Sequence, residues 1–110
     1  MTTVSFFMED GRLTGFTVRG HSGWAEEGSD VVCAAVTSAV RLTECAVNDV
    51  LGLGAAVKLR EKDAFLSLKL PGGLGEANEH FCQNLLAALM VYCTQLQEEY
   101  PGNVFVEEAD

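Results

Sequence analysis

His21 and Cys33 are the two side chains whose types and spacing could support nucleophilic catalysis. They stand twelve positions apart in "GHSGWAEEGSDVVCAAV", residues 20–36, the histidine in a glycine-bounded loop and the cysteine at the head of an apolar run. An imidazole within hydrogen-bond reach of a thiol can take its proton and later protonate a leaving amine, the division of labour a cysteine hydrolase needs. The same residues also read as a loop histidine and a core cysteine, because cysteine spacings do not transfer between families.

The elements that must bring them together follow from pattern. "TVSFFM" alternates Val4, Phe6 and Met8 against Ser5 and Phe7, and "RLTGFTV" follows across "DG", a two-residue hairpin signal. Gly20 and Gly23 flank His21 and let the backbone turn sharply; a loop over 20–29 would carry the imidazole to the helix that follows. Asp30 is the expected N-cap of that helix. Cys33 would then lie in the first turn, where the partial positive charge of the terminus favours an anionic sulfur. "VVCAAVTSAVRLTECAVNDVL" is apolar around most of its circumference and predicts a central, buried helix. "AVKLREKDAFLSLKL" predicts a second hairpin, with Val57 and Leu59 in its first strand and Leu66, Leu68 and Leu70 in its second. A second helix carries Phe81, Leu85, Leu89, Tyr92 and Leu96 as its apolar stripe, and "NVFVEE" supplies a last strand. The order β-β-α-β-β-α-β predicts an α+β fold, a two-layer sandwich with both helices on one sheet face, in a single domain over residues 1–110.

With 110 residues, 48% apolar composition and 8% aromatics, the chain can build one core. Seven Lys and Arg against sixteen Asp and Glu give a net charge of −9, which argues against direct nucleic-acid binding and toward a basic protein or peptide partner. The absence of a basic start followed by an apolar stretch, and of an apolar run near 20 residues, predicts a cytoplasmic protein with no membrane partner. Cys33, Cys45, Cys82 and Cys93 include no Cys-x-x-Cys pair, so neither a metal nor another cofactor is expected. If Cys33 and Cys45 share a helix they are roughly 18 Å apart, beyond disulfide reach. Cys45, Cys82 and Cys93 are expected as small core residues. His80, among Glu76, Asn78 and Glu79, reads as part of a solvated helix face.

Gly20, His21, Asp30 and Cys33, followed by a small-residue helix, resemble the signature of the ribosomal-processing cysteine protease family, Prp. The likeness extends over nearly the whole chain. It implies a cysteine endopeptidase with Cys33 as nucleophile and His21 as general base and proton donor, Gly20 and Asp30 in support. Thr37 stands where the family usually has serine; it keeps the hydroxyl but adds a β-branch that restricts the rotamer. The implied substrate is the precursor of a large-subunit ribosomal protein, number twenty-seven, whose N-terminal extension is removed; a homodimer is also implied. Trp24 could stack on a substrate side chain, and Glu26 and Glu27 could attract a basic one. The competing expectation is a noncatalytic acidic binding or assembly factor for the ribosome, which would need neither His21 nor Cys33.

Overall fold

The computed structural model describes residues 1–20, 27–60, 62 and 64–109, with residues 27–30 through their backbone. Two helices pack on a five-stranded mixed sheet in the expected order: β1 (Thr2–Glu9), β2 (Arg12–Arg19), α1 (Glu27–Glu44), β3 (Ala56–Arg60), β4 (Phe65–Lys69), α2 (Glu76–Glu99) and β5 (Val104–Ala109). The strands lie in the order β3-β4-β2-β1-β5, with β5 parallel to β1 and the other pairs antiparallel. The first hairpin closes through Asp10 and Gly11, both at positive φ (52° and 78°), as a two-residue turn matched to strand twist requires.

Register determines what the sheet presents to the helices. Val4 pairs with Val106 on one side and Val18 on the other, Val18 pairs with Leu66, and Leu66 with Leu59. One apolar row thus crosses all five strands; the next runs Phe6–Phe16–Leu68–Val57. Phe6 and Phe16 are fully buried, with ring centroids 6.0 Å apart in a tilted arrangement, the centre of the core.

Both helices depart from expectation in which face they bury. In α1, Val32, Val36 and Val40 are buried while Val31 and Leu42 are exposed, so it lies at the surface with one face inward. Its valines surround the axis, and the sequence pattern therefore defines no face. In α2 the buried stripe is Cys82, Leu86, Leu89, Cys93 and Leu96, whereas Phe81 and Tyr92 are 46% and 44% exposed. Leu89 and Leu96 belong to the expected stripe, whereas Cys82, Leu86 and Cys93 take the places expected for Phe81, Leu85 and Tyr92, because small cysteines rather than large aromatics fit against the sheet.

The chain beyond α1 continues as a π-helical turn, Cys45–Val50. The segment Val31–Val50 is a helix long and apolar enough to cross a membrane by length and composition, which the sequence reading did not anticipate. Its Val32, Val36, Val40 and Val47 face is spent on the protein's own core.

Amide side chains fasten the helical layer to the backbone of the strands and of the residue before β3. Gln83 accepts from Leu13 N (2.8 Å) and donates to Leu13 O (2.8 Å); Asn48 accepts from Ala55 N (2.7 Å) and donates to Ala55 O (3.1 Å); Gln97 accepts from Val106 N (2.7 Å). Each satisfies backbone groups that would otherwise be lost to the ladder at a bulge or edge.

Arg12 fixes the start of β2 to α2, donating from Nε to Glu79 Oε2 (2.7 Å) and from Nη2 to Glu79 Oε1 (3.0 Å) and to the Pro71 carbonyl (2.9 Å). The hydrogen bonds from Arg12 hold the Glu79 carboxyl below its ordinary value of 4.5, outweighing the opposing effect of burial. A depressed folded-state value stabilises the fold above pH 4.5, and that contribution is lost as pH falls through the lowered value. Both side chains are about a third exposed (29% and 34%), so the gain is held to about 1 kcal/mol. Urea titrations at about pH 6 and pH 3 should show wild type losing up to about 1 kcal/mol more than Glu79→Gln. Equal losses would assign the acid sensitivity elsewhere.

Candidate active site

Cys33 lines a cavity of about 480 Å³ between α1 and the β3–β4 end of the sheet. The floor is Val18, Leu66 and Leu59, the part of the apolar row that crosses β2, β4 and β3. The α1 wall includes Ala34, Thr37 and Ser38, and the hairpin end is formed by Arg60, Ala64 and Phe65. Arg60 lies over the Phe65 ring, 4.2 Å from its centroid, a cation–π contact between paired residues of adjacent strands.

Cys33 is only 8% exposed, yet it borders this cavity, so a substrate can approach the sulfur from one side. Thr37, one turn further along α1, lines the same cavity. Ser38, which the sequence analysis did not single out, also lines it, as do Leu59, Arg60 and Phe65. No local signal marks the hairpin residues; they arrive through strand register.

The start of α1 corrects the expected capping. The helix begins at Glu27, so Asp30 is inside it rather than at its N-cap, and Cys33 is the seventh residue rather than one of the first turn. Cys33 is then about 9 Å along the axis from the first helical residue, where the terminal charge has largely decayed. The connection from β2 also shortens, since residues 27–29 are helical.

His21, Trp24 and Glu26 lie outside the described residues, and Glu27 is placed as the first residue of α1. What is described is the point of departure toward His21. Val18 is in the cavity floor, and Gly20 follows at φ 84°, so the chain leaves β2 at the cavity end of the strand. Gly20 is required twice over. Its φ suits glycine, and an added Cβ would come within 2.6 Å of the Met1 carbonyl oxygen.

None of the four cysteines is in a disulfide. Cys82 and Cys93 are buried; burial pushes the Cys93 thiol up to about 11, and burial followed by nearby Glu79 raises that of Cys82. Both are therefore protonated at neutral pH and inert as nucleophiles. Cys45, expected in the core, is exposed on the π-helical turn and outside the cavity. His80, exposed near the start of α2, is not among the cavity-lining residues.

Similarity to known proteins accords with this arrangement. A curated relative, the ribosomal processing cysteine protease Prp of Bacillus subtilis (strain 168), is 27% identical over 97 residues, covering 88% of this chain and 87% of its own. SMU.848 from Streptococcus mutans superposes with a TM-score of 0.85 at 25% identity, covering 98% of this chain and 93% of that one. The essential ribosomal processing protease Prp from S. aureus, solved in complex with a substrate peptide, gives a TM-score of 0.86, covering 99% and 100% of the two chains; at 20% identity it speaks to the fold. The sequence profile described as cysteine protease Prp matches residues 1–105, and the chain belongs to that family of cysteine peptidases.

Proposed function

We propose that this protein is the endopeptidase that removes the N-terminal extension from the precursor of large-subunit ribosomal protein twenty-seven, with Cys33 as nucleophile and His21 as base. The observation that carries the reading is Cys33 itself: in a chain matched to the family over residues 1–105, it borders a cavity beside the end of β2 that leads to His21. His21 takes the Cys33 proton and the sulfur attacks the scissile carbonyl carbon. The tetrahedral intermediate expels the amine, which takes the proton from the imidazolium, leaving a thioester on Cys33. Water, deprotonated by the imidazole, then releases the new carboxylate and restores the thiol.

A net charge of −9 supports a basic ribosomal protein as partner, by speeding encounter more than by strengthening binding. Trp24 and Glu26 precede α1 in the sequence and Glu27 begins it, and we assign these three to substrate contact. The protein works in the cytoplasm. Incubation with a synthetic peptide spanning the extension, read by mass, tests the proposal: two fragments summing to the peptide plus one water are expected. An unchanged mass for a peptide that binds would favour the noncatalytic assembly-factor reading.

The active species is a homodimer in this proposal. Val31, Leu42 and Val50 along α1 and its π-helical end, and Phe81, Val91 and Tyr92 along α2, leave the adjacent helices with exposed apolar surface, which a second copy would cover. Light scattering at micromolar concentration should give twice the 11.8 kDa chain mass; a sole 11.8 kDa species would remove the dimer.

A further inference from the structure

We propose that β3 is a docking strand for the substrate: an extended segment flanking the scissile bond pairs with the outer edge of Ala56–Arg60, as a sixth strand. This rests on the peptidase reading above and adds how the substrate is held.

Three observations carry it. First, β3 is the end strand of the sheet on the cavity side, paired with β4 alone, so alternate residues turn backbone N–H and C=O groups outward. Second, the apolar row of the inner face is unfinished there. Val4, Val18 and Leu66 are at most 9% exposed, but the next member, Leu59, is 58% exposed although it lines the cavity that holds Cys33. A strand added about 4.8 Å beyond β3 would set one side chain beside Leu59, which lines the same cavity as Cys33, and so extend the row by one member. Third, the edge has a charge unlike the rest of the molecule. Lys58, Arg60, Lys62 and Lys69, four of the seven basic residues of a chain with net charge −9, belong to the β3–β4 hairpin or its turn, whose acidic residues are Glu61 and Asp63, so the hairpin is net positive. A basic peptide segment would be repelled here, so the occupant is a segment without Lys or Arg. The basic side of the substrate is left to the acidic surface elsewhere.

Main-chain pairing has a signature that a side-chain pocket lacks: its period is two. The test is an N-methyl scan of the synthetic extension peptide, methylating one amide at a time and leaving the scissile amide intact. Methylation at every second position over about four residues on one side of the scissile bond should raise KM about tenfold with kcat little changed, the intervening positions remaining near the parent value. In parallel, amide exchange of Ala56–Arg60 in the Cys33→Ser protein should slow on adding the unmodified peptide. A flat or aperiodic methylation profile with a peptide that is cleaved, or unchanged exchange in β3 with a peptide that binds, would overturn the docking strand and leave the peptidase reading standing. Failure to cleave the unmodified peptide at all would remove both.

Discussion

Cys33→Ser is expected to lose cleavage of the extension peptide by on the order of a thousandfold or more, and His21→Ala by about 10²–10⁴-fold, each in a folded protein. A serine hydroxyl is a much weaker nucleophile than a thiol and depends entirely on its base, so exchanging sulfur for oxygen removes the chemistry while conserving shape. Cys33 borders a cavity rather than filling the centre of the core, and circular dichroism and melting temperature should therefore stay near wild type. His21→Ala leaves the sulfur in place; hydroxide can replace the missing base, and activity should climb with pH where wild type has levelled. Because the two groups act as one unit, the double variant should lose little more than the worse single one. Cys45→Ser is the control, exposed and outside the cavity, and should cleave like wild type. Full turnover by a folded Cys33→Ser protein would refute the thiol mechanism and shift the cavity to a binding role.

The strands could be read from sequence because a period of two is unambiguous when polar residues alternate: Val4 and Phe6 point inward as expected, and Asp10-Gly11 makes the turn. Helix faces were less legible. Valines at 31, 32, 36 and 40 surround α1, and in α2 the aromatic size of Phe81 and Tyr92 outweighed Cys82 and Cys93, which occupy the core. Nor does the sequence around Cys33 contain its cavity. Val18, Leu66 and Leu59 meet beneath it only through two antiparallel registers, while the amides of Asn48, Gln83 and Gln97 secure backbone 7, 70 and 9 residues away. The start of α1 moved because residues 27–29 are helical despite containing Gly28 and Ser29, weak formers that tertiary context overrides. Cys33 was singled out as the candidate nucleophile by resemblance to a family pattern, not by any local physical signal.

Gly15→Ala is expected to destabilise the protein by about 3 kcal/mol, lowering its melting temperature by on the order of 15 °C. Gly15 pairs with Phe7 on one side and Lys69 on the other, in the middle of the sheet. The register shift beside it leaves Thr14 as an extra residue on β2, with its carbonyl accepting from Leu70 N at 2.8 Å. This bulge brings β2 so close to β4 that an added Cβ would overlap the Leu68 carbonyl oxygen and stand 3.1 Å from Lys69 Cα. The obstructing atoms are backbone and cannot rotate aside; relief requires β2 and β4 to separate. That separation would break the Phe16–Leu68 contact in the core and spread Val18 from Leu66 in the floor below Cys33, so the folded fraction should also cleave more slowly. Gly72→Ala is the matched control: an added Cβ there meets nothing within 4 Å and the backbone is not at positive φ, so it should be neutral or stabilising by a few tenths of a kcal/mol. Thermal and urea unfolding of the two variants decide the matter, and a Gly15→Ala protein melting within about 3 °C of wild type would show that the strands can part without cost.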